Sequence, residues 1–73
     1  MKIKWKGELL RWRRKQLGLT HKALAERVGC TRPNISMWED DKVSPSAEYL
    51  IALGIVLLRE PKEFFEIEEA NNG

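Results

Sequence analysis

The sequence predicts an all-α fold, a compact bundle of five short helices in a single domain spanning residues 1–73. No stretch shows the sustained alternation of apolar and polar residues that is typical of strands, and no Asn-Gly or Asp-Gly pair predicts a hairpin turn. Glycines and prolines instead divide the chain into short segments, within which apolar residues recur at helical spacing. We expect the core to occupy about residues 7–67 and a tail at 68–73 to fray.

The first three helices are predicted from their end signals. Residues 7–16 form a basic segment without an interior helix breaker. Thr20 is a typical N-cap for the second helix, and Gly29 ends that helix because glycine accepts a positive φ. Thr31 is the corresponding cap of the third helix, whose first turn tolerates Pro33 because the amides there have no intrahelical acceptor.

The fourth and fifth helices follow two proline-containing segments. Ser-Pro-Ser at 44–46 begins the fourth helix, which extends to about Leu58 and is apolar around its whole circumference. Glu-Pro at 60–61 begins a short fifth helix with Phe64, Phe65 and Ile67 as its apolar residues. No apolar run reaches the roughly 18–20 residues that a membrane span needs.

Charge is distributed unevenly along the chain. Residues 1–38 carry ten basic and two acidic side chains, whereas residues 39–73 carry three basic and nine acidic ones. The formal net charge of +2 therefore hides a basic half of +8 and an acidic half of −6. A basic half attracts a polyanion at long range, and counterion release then adds affinity, although a merely solvated surface is an equally good explanation.

Several classes of protein are excluded by composition. The single cysteine cannot form an internal disulfide, which disfavours the disulfide-rich secreted domains. Charges throughout the first fifteen residues argue against a signal peptide, so we expect a cytoplasmic chain. With one histidine, no glycine-rich phosphate loop and no metal-ligand spacing, we expect no enzyme activity, no metal and no cofactor.

Residues 20–39 have the pattern of a helix-turn-helix. Ala25 is small where the two helix backbones approach, and Gly29 permits the sharp turn between the helices. Leucine, valine and tryptophan side chains supply the apolar seam. The outward face of the second of these helices can enter a major groove and is formed by Arg32, Pro33, Ser36 and Met37, with Asn34 beside them.

These residues resemble the phage Cro/C1 repressor-type helix-turn-helix family, also called the XRE family. The resemblance is carried by RKQLGLTHKALAERVG from Arg14, ISMWE at 35–39, Pro-Ser at 45–46 and PKEFF at 61–65, and it covers about residues 7–65. It implies a lambda-repressor-like five-helix fold that binds operator DNA as a two-fold dimer. The function it implies is that of a small phage or bacterial transcriptional repressor associated with the nucleoid.

The resemblance also implies roles for individual residues. Arg14 is expected to pair with Glu39 near the DNA backbone, the alternative being an exposed ion pair worth about 0–1 kcal/mol. Arg32 is the first candidate for reading guanine, with a phosphate contact as its alternative. His21 replaces the family's glutamine and is otherwise a surface histidine. The predicted phosphate contacts are Arg14, His21, Lys22, Thr31 and Lys42, with Arg11 and Arg13 as further candidates.

Two features are expected to modify DNA binding. Asp40 and Asp41 follow the third helix, where two carboxylates facing phosphates would weaken the complex. The fourth helix has more apolar residues than one core-facing stripe requires, which predicts a contact with a second copy of the chain. The alternative is burial under the fifth helix, with Phe64 and Phe65 as the cover. The predicted dimer residues are Ile51, Ile55, Val56 and Leu58.

A second hypothesis from another functional class is an interaction protein. The same fold serves as the DNA-binding antitoxin of toxin–antitoxin pairs. In that case the acidic half and the apolar fourth helix would face a toxin as well as DNA.

Overall fold

Four α-helices and a two-stranded ribbon make up the fold, which a computed structural model describes for residues 1–70. The tail predicted to fray begins too early at residue 68, because Glu68 pairs with Lys2 in a strand; residues 71–73 lie outside the described residues. The elements in chain order are β1 (Lys2–Trp5), α1 (Gly7–Gln16), α2 (His21–Val28), α3 (Arg32–Glu39), α4 (Ala47–Leu57), a 3₁₀ turn (Pro61–Phe64) and β2 (Phe65–Glu68).

The predicted caps of α2 and α3 are confirmed. Thr20 Oγ1 accepts a hydrogen bond from the Ala23 amide at 3.0 Å, and Thr31 Oγ1 accepts one from the Asn34 amide at 3.4 Å. Gly29 ends α2 with φ of 85°, a left-handed conformation that glycine adopts without a Cβ penalty. The local signals in this part of the chain thus define both helices of the helix-turn-helix.

The prediction of a five-helix bundle is wrong at its last element. Pro61–Phe64 forms only a 3₁₀ turn, and the chain then extends into β2, which pairs antiparallel with β1. Each strand alternates apolar and charged residues over only four positions, too few to stand out from the sequence. The register places Lys2 opposite Glu68 and Lys4 opposite Glu66, so opposite charges face each other across the ribbon.

The core lies between the helices and begins earlier than residue 7. Trp5, in the last position of β1, is buried and packs on Phe64 and Phe65 with ring centroids 6.1 and 5.6 Å apart. By contrast Trp12 on α1 is 56% exposed. The buried apolar residues are Trp5, Leu10, Leu24, Ala25, Val28, Ile35, Trp38, Leu53, Leu57 and Phe64.

The N-terminus of α1 lies against the C-terminal end of α3. A Cβ at Gly7 would overlap the backbone carbonyl oxygens of Trp38 and Glu39, so only glycine permits this approach. The Asp41 carboxylate completes the junction by accepting a hydrogen bond from the Gly7 amide at 2.7 Å. This junction sets the direction in which α3 projects from the domain.

Within the described residues no helix is long and apolar enough to cross a membrane. No group of three or more histidine, cysteine or acidic residues in residues 1–70 is arranged to hold a metal ion.

Candidate nucleic-acid interface

The outer face of α3 is open to solvent along its length. Arg32, Pro33 and Met37 are exposed, and Ser36 is half-buried between them. Together with His21 from the start of α2, three of these residues line an open groove on the surface. A cation, two apolar groups and a hydroxyl therefore project side by side from one short helix, and these groups match the chemistry of base edges in a major groove.

Asn34 takes part in the cap of α3. Its Oδ1 accepts a hydrogen bond from the Thr31 hydroxyl at 2.8 Å, while its backbone amide donates to the same hydroxyl. Thr31 is exposed next to the first turn of α3, as the predicted phosphate contact requires. The cap thus orders two of the predicted DNA contacts before any DNA is present.

The turn between α2 and α3 has the predicted geometry. Ala25 is buried, and its backbone carbonyl accepts hydrogen bonds from the amides of Gly29 at 2.8 Å and Cys30 at 3.0 Å. Ile35 and Trp38 bury the inner face of α3 against the core. This packing leaves the opposite face of α3 outward.

A buried ion pair ties α1 to the end of α3. Arg14 Nε lies 2.6 Å from Glu39 Oε2, and Arg14 Nη2 lies 3.1 Å from Glu39 Oε1. A third donor, Arg14 Nη1, reaches the Leu19 carbonyl at 2.8 Å. Arg14 is 7% exposed and Glu39 is 3% exposed, so the alternative of an exposed ion pair is wrong. A phosphate contact by Arg14 stays a prediction.

The Glu39 carboxylate is shared among three side chains. Arg11 Nε lies 3.2 Å and His21 Nε2 3.1 Å from Glu39 Oε1, in addition to the contacts of Arg14. Burial alone would raise the pKa of Glu39, but the hydrogen bonds from Arg14 and His21 and the charge of Arg14 lower it overall. The last side chain of α3 therefore stays ionised inside a cluster of donors and away from the outer face.

Both aspartates after α3 turn toward α1. Asp40 Oδ1 lies 2.6 Å from Arg11 Nη2, and Asp41, at φ of 58°, accepts from Gly7 as described. Both carboxylates therefore have hydrogen-bond partners on α1, instead of being free to face phosphates as expected. Arg11, a candidate phosphate contact, is engaged with Asp40 and Glu39, and Arg13 donates to the Leu57 carbonyl at 2.9 Å.

The other predicted phosphate contacts are accessible. Lys22, in the first turn of α2, and Lys42, after α3, are both exposed. The His21 side chain is 40% exposed and lies at the start of α2. His21 and Lys22 lie in the first turn of α2, and Lys42 lies after the end of α3.

Three of the four predicted dimer residues, two on α4 and one directly after it, are exposed and are together called the α4 stripe. Ile51, Ile55 and Leu58 are 57%, 70% and 72% exposed, whereas Val56 is half-buried against the core. The alternative, burial of this surplus under a fifth helix, is wrong because Phe64 fills the core and Phe65 lies on β2. Leu58 ends α4 with φ of 58°, a conformation that is unusual for a residue with a Cβ.

Two residues that the sequence did not identify contact the C-terminal end of α3. They are Gly7 and Trp5. The alternation in Lys-Ile-Lys-Trp is typical of a strand with a buried Trp5. Four residues are too few to predict that strand unless its pairing with the Phe-Glu-Ile-Glu segment is already known. Nothing local identified Gly7 as a contact residue.

Comparisons with known proteins match this geometry. A family model described as helix-turn-helix (HTH_3) matches residues 10–64. Repressor protein C2 of Salmonella phage P22 is 40% identical over 55 residues, which are 75% of this chain and 26% of that protein. An uncharacterized HTH-type transcriptional regulator of Methanothermobacter thermautotrophicus is 55% identical over 38 residues, 52% of this chain and 55% of the relative. The chain thus spans about a quarter and about half of these curated relatives.

A solved structure agrees in backbone as well as sequence. The crystal structure of the P22 c2 repressor protein in complex with synthetic operator 9T in the presence of Tl+ superposes with a TM-score of 0.78 at 38% identity. The match covers 80% of this chain and 88% of that chain.

Proposed function

The chain belongs to the helix-turn-helix family, and on that premise we propose that it binds double-stranded operator DNA sequence-specifically and represses transcription. The observation that carries the proposal is the outer face of α3. It presents Arg32, Pro33 and Met37 to solvent, while the acidic side chain at its end, Glu39, is buried in an ion pair. Repression follows when the protein occupies an operator and excludes polymerase.

Base recognition is assigned to the exposed side chains of α3. The Arg32 guanidinium matches the O6 and N7 acceptors of guanine, and Pro33 and Met37 offer apolar contact to a thymine methyl. Ser36 donates or accepts a hydrogen bond. Asn34 is the fifth candidate, although its Oδ1 already accepts from Thr31, so its amide nitrogen is the group that would reach a base.

Phosphate contacts surround this face and fix its register on the duplex. Lys22 and Lys42 supply charge, and the hydroxyl of Thr31 and the ring of His21 supply hydrogen bonds at the starts of two helices. The turning of Asp40 and Asp41 toward α1 reduces the repulsion that their position after α3 would otherwise produce. The basic half of the chain adds long-range attraction.

A second copy of the chain is the proposed partner of α4. Ile51 and Ile55 lie one turn apart on α4, Leu58 follows its last residue, and all three are exposed. In a two-fold antiparallel pair Ile51 meets the partner's Ile55. The same arrangement brings Glu48, at one end of the stripe, near the cation of the partner's Arg59 at the other. Such a dimer presents two copies of α3 to half-sites about one helical turn apart.

Selection of bound duplexes from a random pool, followed by titration at several salt concentrations, tests the function. We expect the selected duplex to bind at least about a thousandfold more tightly than random DNA at moderate salt. Arg32→Ala should lower the affinity for the selected duplex by about tenfold and random-DNA binding much less. Lys62→Ala, which removes an exposed cation far from α3 in sequence, is the matched control and should leave the ratio unchanged. Equal binding of selected and random DNA by the wild type would refute the proposal.

The antitoxin hypothesis is not carried further. Its sequence basis was the acidic half and the surplus apolar face of α4. Five of the nine acidic residues in that half lie within 4.0 Å of a cation of the same chain, and the apolar face has the self-complementary ends described above. No described feature favours a toxin over a second copy.

A further inference from the structure

Trp5 contacts α3, the proposed recognition helix, although it lies outside the residues that the family model matches. The family match begins at residue 10, whereas Trp5 ends β1. Its indole Nε1 donates a hydrogen bond to the Trp38 carbonyl at 2.8 Å, and the side chain is 8% exposed. Trp38 lies in the last turn of α3, where backbone carbonyls have no intrahelical donor. The Asp41 amide, just after the helix, also donates to this carbonyl at 3.3 Å, and the indole adds a shorter bond from a distant part of the chain.

The ribbon holds Trp5 in this place. β1 pairs with β2, and Trp5 packs between Phe64 and Phe65. The Lys6 amide, next along the chain, donates to the Phe64 carbonyl at 2.9 Å. A two-stranded ribbon is marginally stable in isolation, so the strands and the buried indole depend on each other. Both strands lie outside residues 10–64 and are therefore an addition to the matched family core.

The need for such an anchor follows from the length of α3. Eight residues span only about 12 Å, so a small rotation about the α2–α3 turn displaces every base-contacting atom. Hydrogen bonds to base edges weaken steeply outside a narrow range of distance and angle. The start of α3 is held by the Thr31 cap and the turn. Its end is held by the Arg14–Glu39 ion pair and by the contacts of Trp5, Gly7 and Asp41.

We propose that Trp5 is a positioning residue for DNA recognition: through the Trp38 carbonyl, the β1–β2 ribbon fixes the C-terminal end of α3 and so the aim of its base-contacting face. This inference rests on the proposed function for its effect on DNA. The contact itself is a property of the free protein and is measurable without DNA.

The test compares two changes at residue 5 with a change of ordinary core packing. Trp5→Phe removes the N–H donor and part of the ring. A synthetic chain with 3-benzothienylalanine at residue 5 keeps the size and shape of the indole and replaces only the N–H by sulfur. Leu57→Val, a core substitution in the last turn of α4, is the control for lost stability.

The first measurement is amide hydrogen exchange in the free protein. The amides of Asp40, Asp41 and Lys42 donate to carbonyls in the last turns of α3. We expect them to exchange about three- to tenfold faster in both residue-5 variants relative to the amides of α2, because the end of α3 opens more often. Leu57→Val should not change that ratio. Unchanged relative exchange in the benzothienyl chain would overturn the proposal, whether or not Trp5→Phe folds.

The second measurement is the ratio of affinities for the selected and random duplexes, at concentrations where each variant is folded. Loss of positioning should lower this ratio about three- to tenfold and leave random-DNA binding unchanged, whereas partial unfolding lowers both affinities equally. An unchanged ratio, or an equal fall in Leu57→Val, would contradict the role of Trp5. If the wild type itself shows no preference for the selected duplex, the proposed function fails, and hydrogen exchange alone decides whether Trp5 holds α3.

Discussion

The carboxylate of Asp41 accepts a hydrogen bond from the backbone amide of Gly7, at 2.7 Å between N and Oδ1, and so caps α1 from a position thirty-four residues away. The bond spans the place where α1 meets the end of α3. It also holds toward α1 an acidic side chain that the sequence predicts to face phosphates. Asp41 accepts the left-handed φ of 58° there more readily than most residues, because its short polar side chain tolerates that region.

Asp41→Ala should destabilise the protein by about 1–2 kcal/mol, because it removes the cap and places alanine in a left-handed conformation. Asp41→Asn keeps an acceptor oxygen and the tolerance for positive φ, so its loss should be less than half as large. Urea denaturation of the two variants measures the difference. Equal losses would mean that the charge of Asp41, not its geometry, is what matters.

Gly7→Ala is expected to be the more severe change at the same junction. The added methyl group overlaps two carbonyl oxygens of α3, so α1 and α3 must separate and the Asp41 cap is strained. We expect a loss of about 3 kcal/mol or more in the free energy of unfolding. Gly18→Ala serves as the control, since Gly18 has positive φ but open space around it and should cost about 1 kcal/mol. Thermal denaturation in which the two substitutions cost the same would contradict the close approach.

Asp40→Asn should increase the affinity for DNA. The substitution removes a negative charge next to α3 and weakens the 2.6 Å ion pair with Arg11 to a neutral hydrogen bond, so the Nη2 end of the guanidinium is released more easily to a phosphate. We expect a gain of about two- to fivefold at low salt that shrinks as salt is added. Glu69→Gln, the same loss of charge far along the chain, should change affinity less. A lower affinity for Asp40→Asn would show that the Arg11–Asp40 pair orders the loop for binding.

Stability should fall in acid through Glu39. The hydrogen-bond donors around Glu39 lower its pKa in the folded protein, against the opposing effect of burial. The ionised carboxylate therefore stabilises the fold fully above about pH 5. This contribution is lost as the pH falls below the ordinary pKa of about 4.3. Glu39→Gln should lose about 3 kcal/mol at pH 7, because Arg14 keeps its charge without a partner, and should show a flatter pH dependence. Denaturant titrations from pH 7 to pH 3 measure both effects. Glu26→Gln, an exposed site on α2, should retain the wild-type slope.

Leu58→Gly separates folding from association. Glycine accepts the left-handed φ of Leu58 without strain, so the monomer should gain about 0.5–1 kcal/mol of stability. The same change removes the most exposed side chain of the α4 stripe, so the proposed dimer should weaken by about tenfold or more. Sedimentation equilibrium and thermal denaturation measure the two opposite shifts. A variant that dimerises as tightly as the wild type would place the interface elsewhere.

Much of the helix-turn-helix was predictable because its signals are local. The caps Thr20 and Thr31 and the helix end at Gly29 depend on contacts within three or four residues. The small side chain that the turn requires, Ala25, lies only four residues before it. The pairing of Arg14 with Glu39 was expected only from the family resemblance, because twenty-five residues separate the two and no local pattern joins them.

The ribbon was not predictable in the same way. Four alternating residues are a weak signal by themselves, and the opposite charges that support the pairing lie more than sixty residues apart. The resemblance also favoured a fifth helix at 61–65. The chain instead forms one 3₁₀ turn there and continues directly into strand β2. The contacts of Asp40 and Asp41 with α1 likewise depend on residues distant in sequence, which the local sequence after α3 does not specify.

The three tryptophans of the chain occupy two optical environments. Trp5 and Trp38 are buried and joined by a hydrogen bond, whereas Trp12 is 56% exposed on α1. A dissolved quencher such as iodide therefore reaches one indole and is kept from the other two. The emission that survives quenching comes from the pair at the end of the recognition helix, and it gives this small protein an intrinsic fluorescent reporter of the contact between its ribbon and α3.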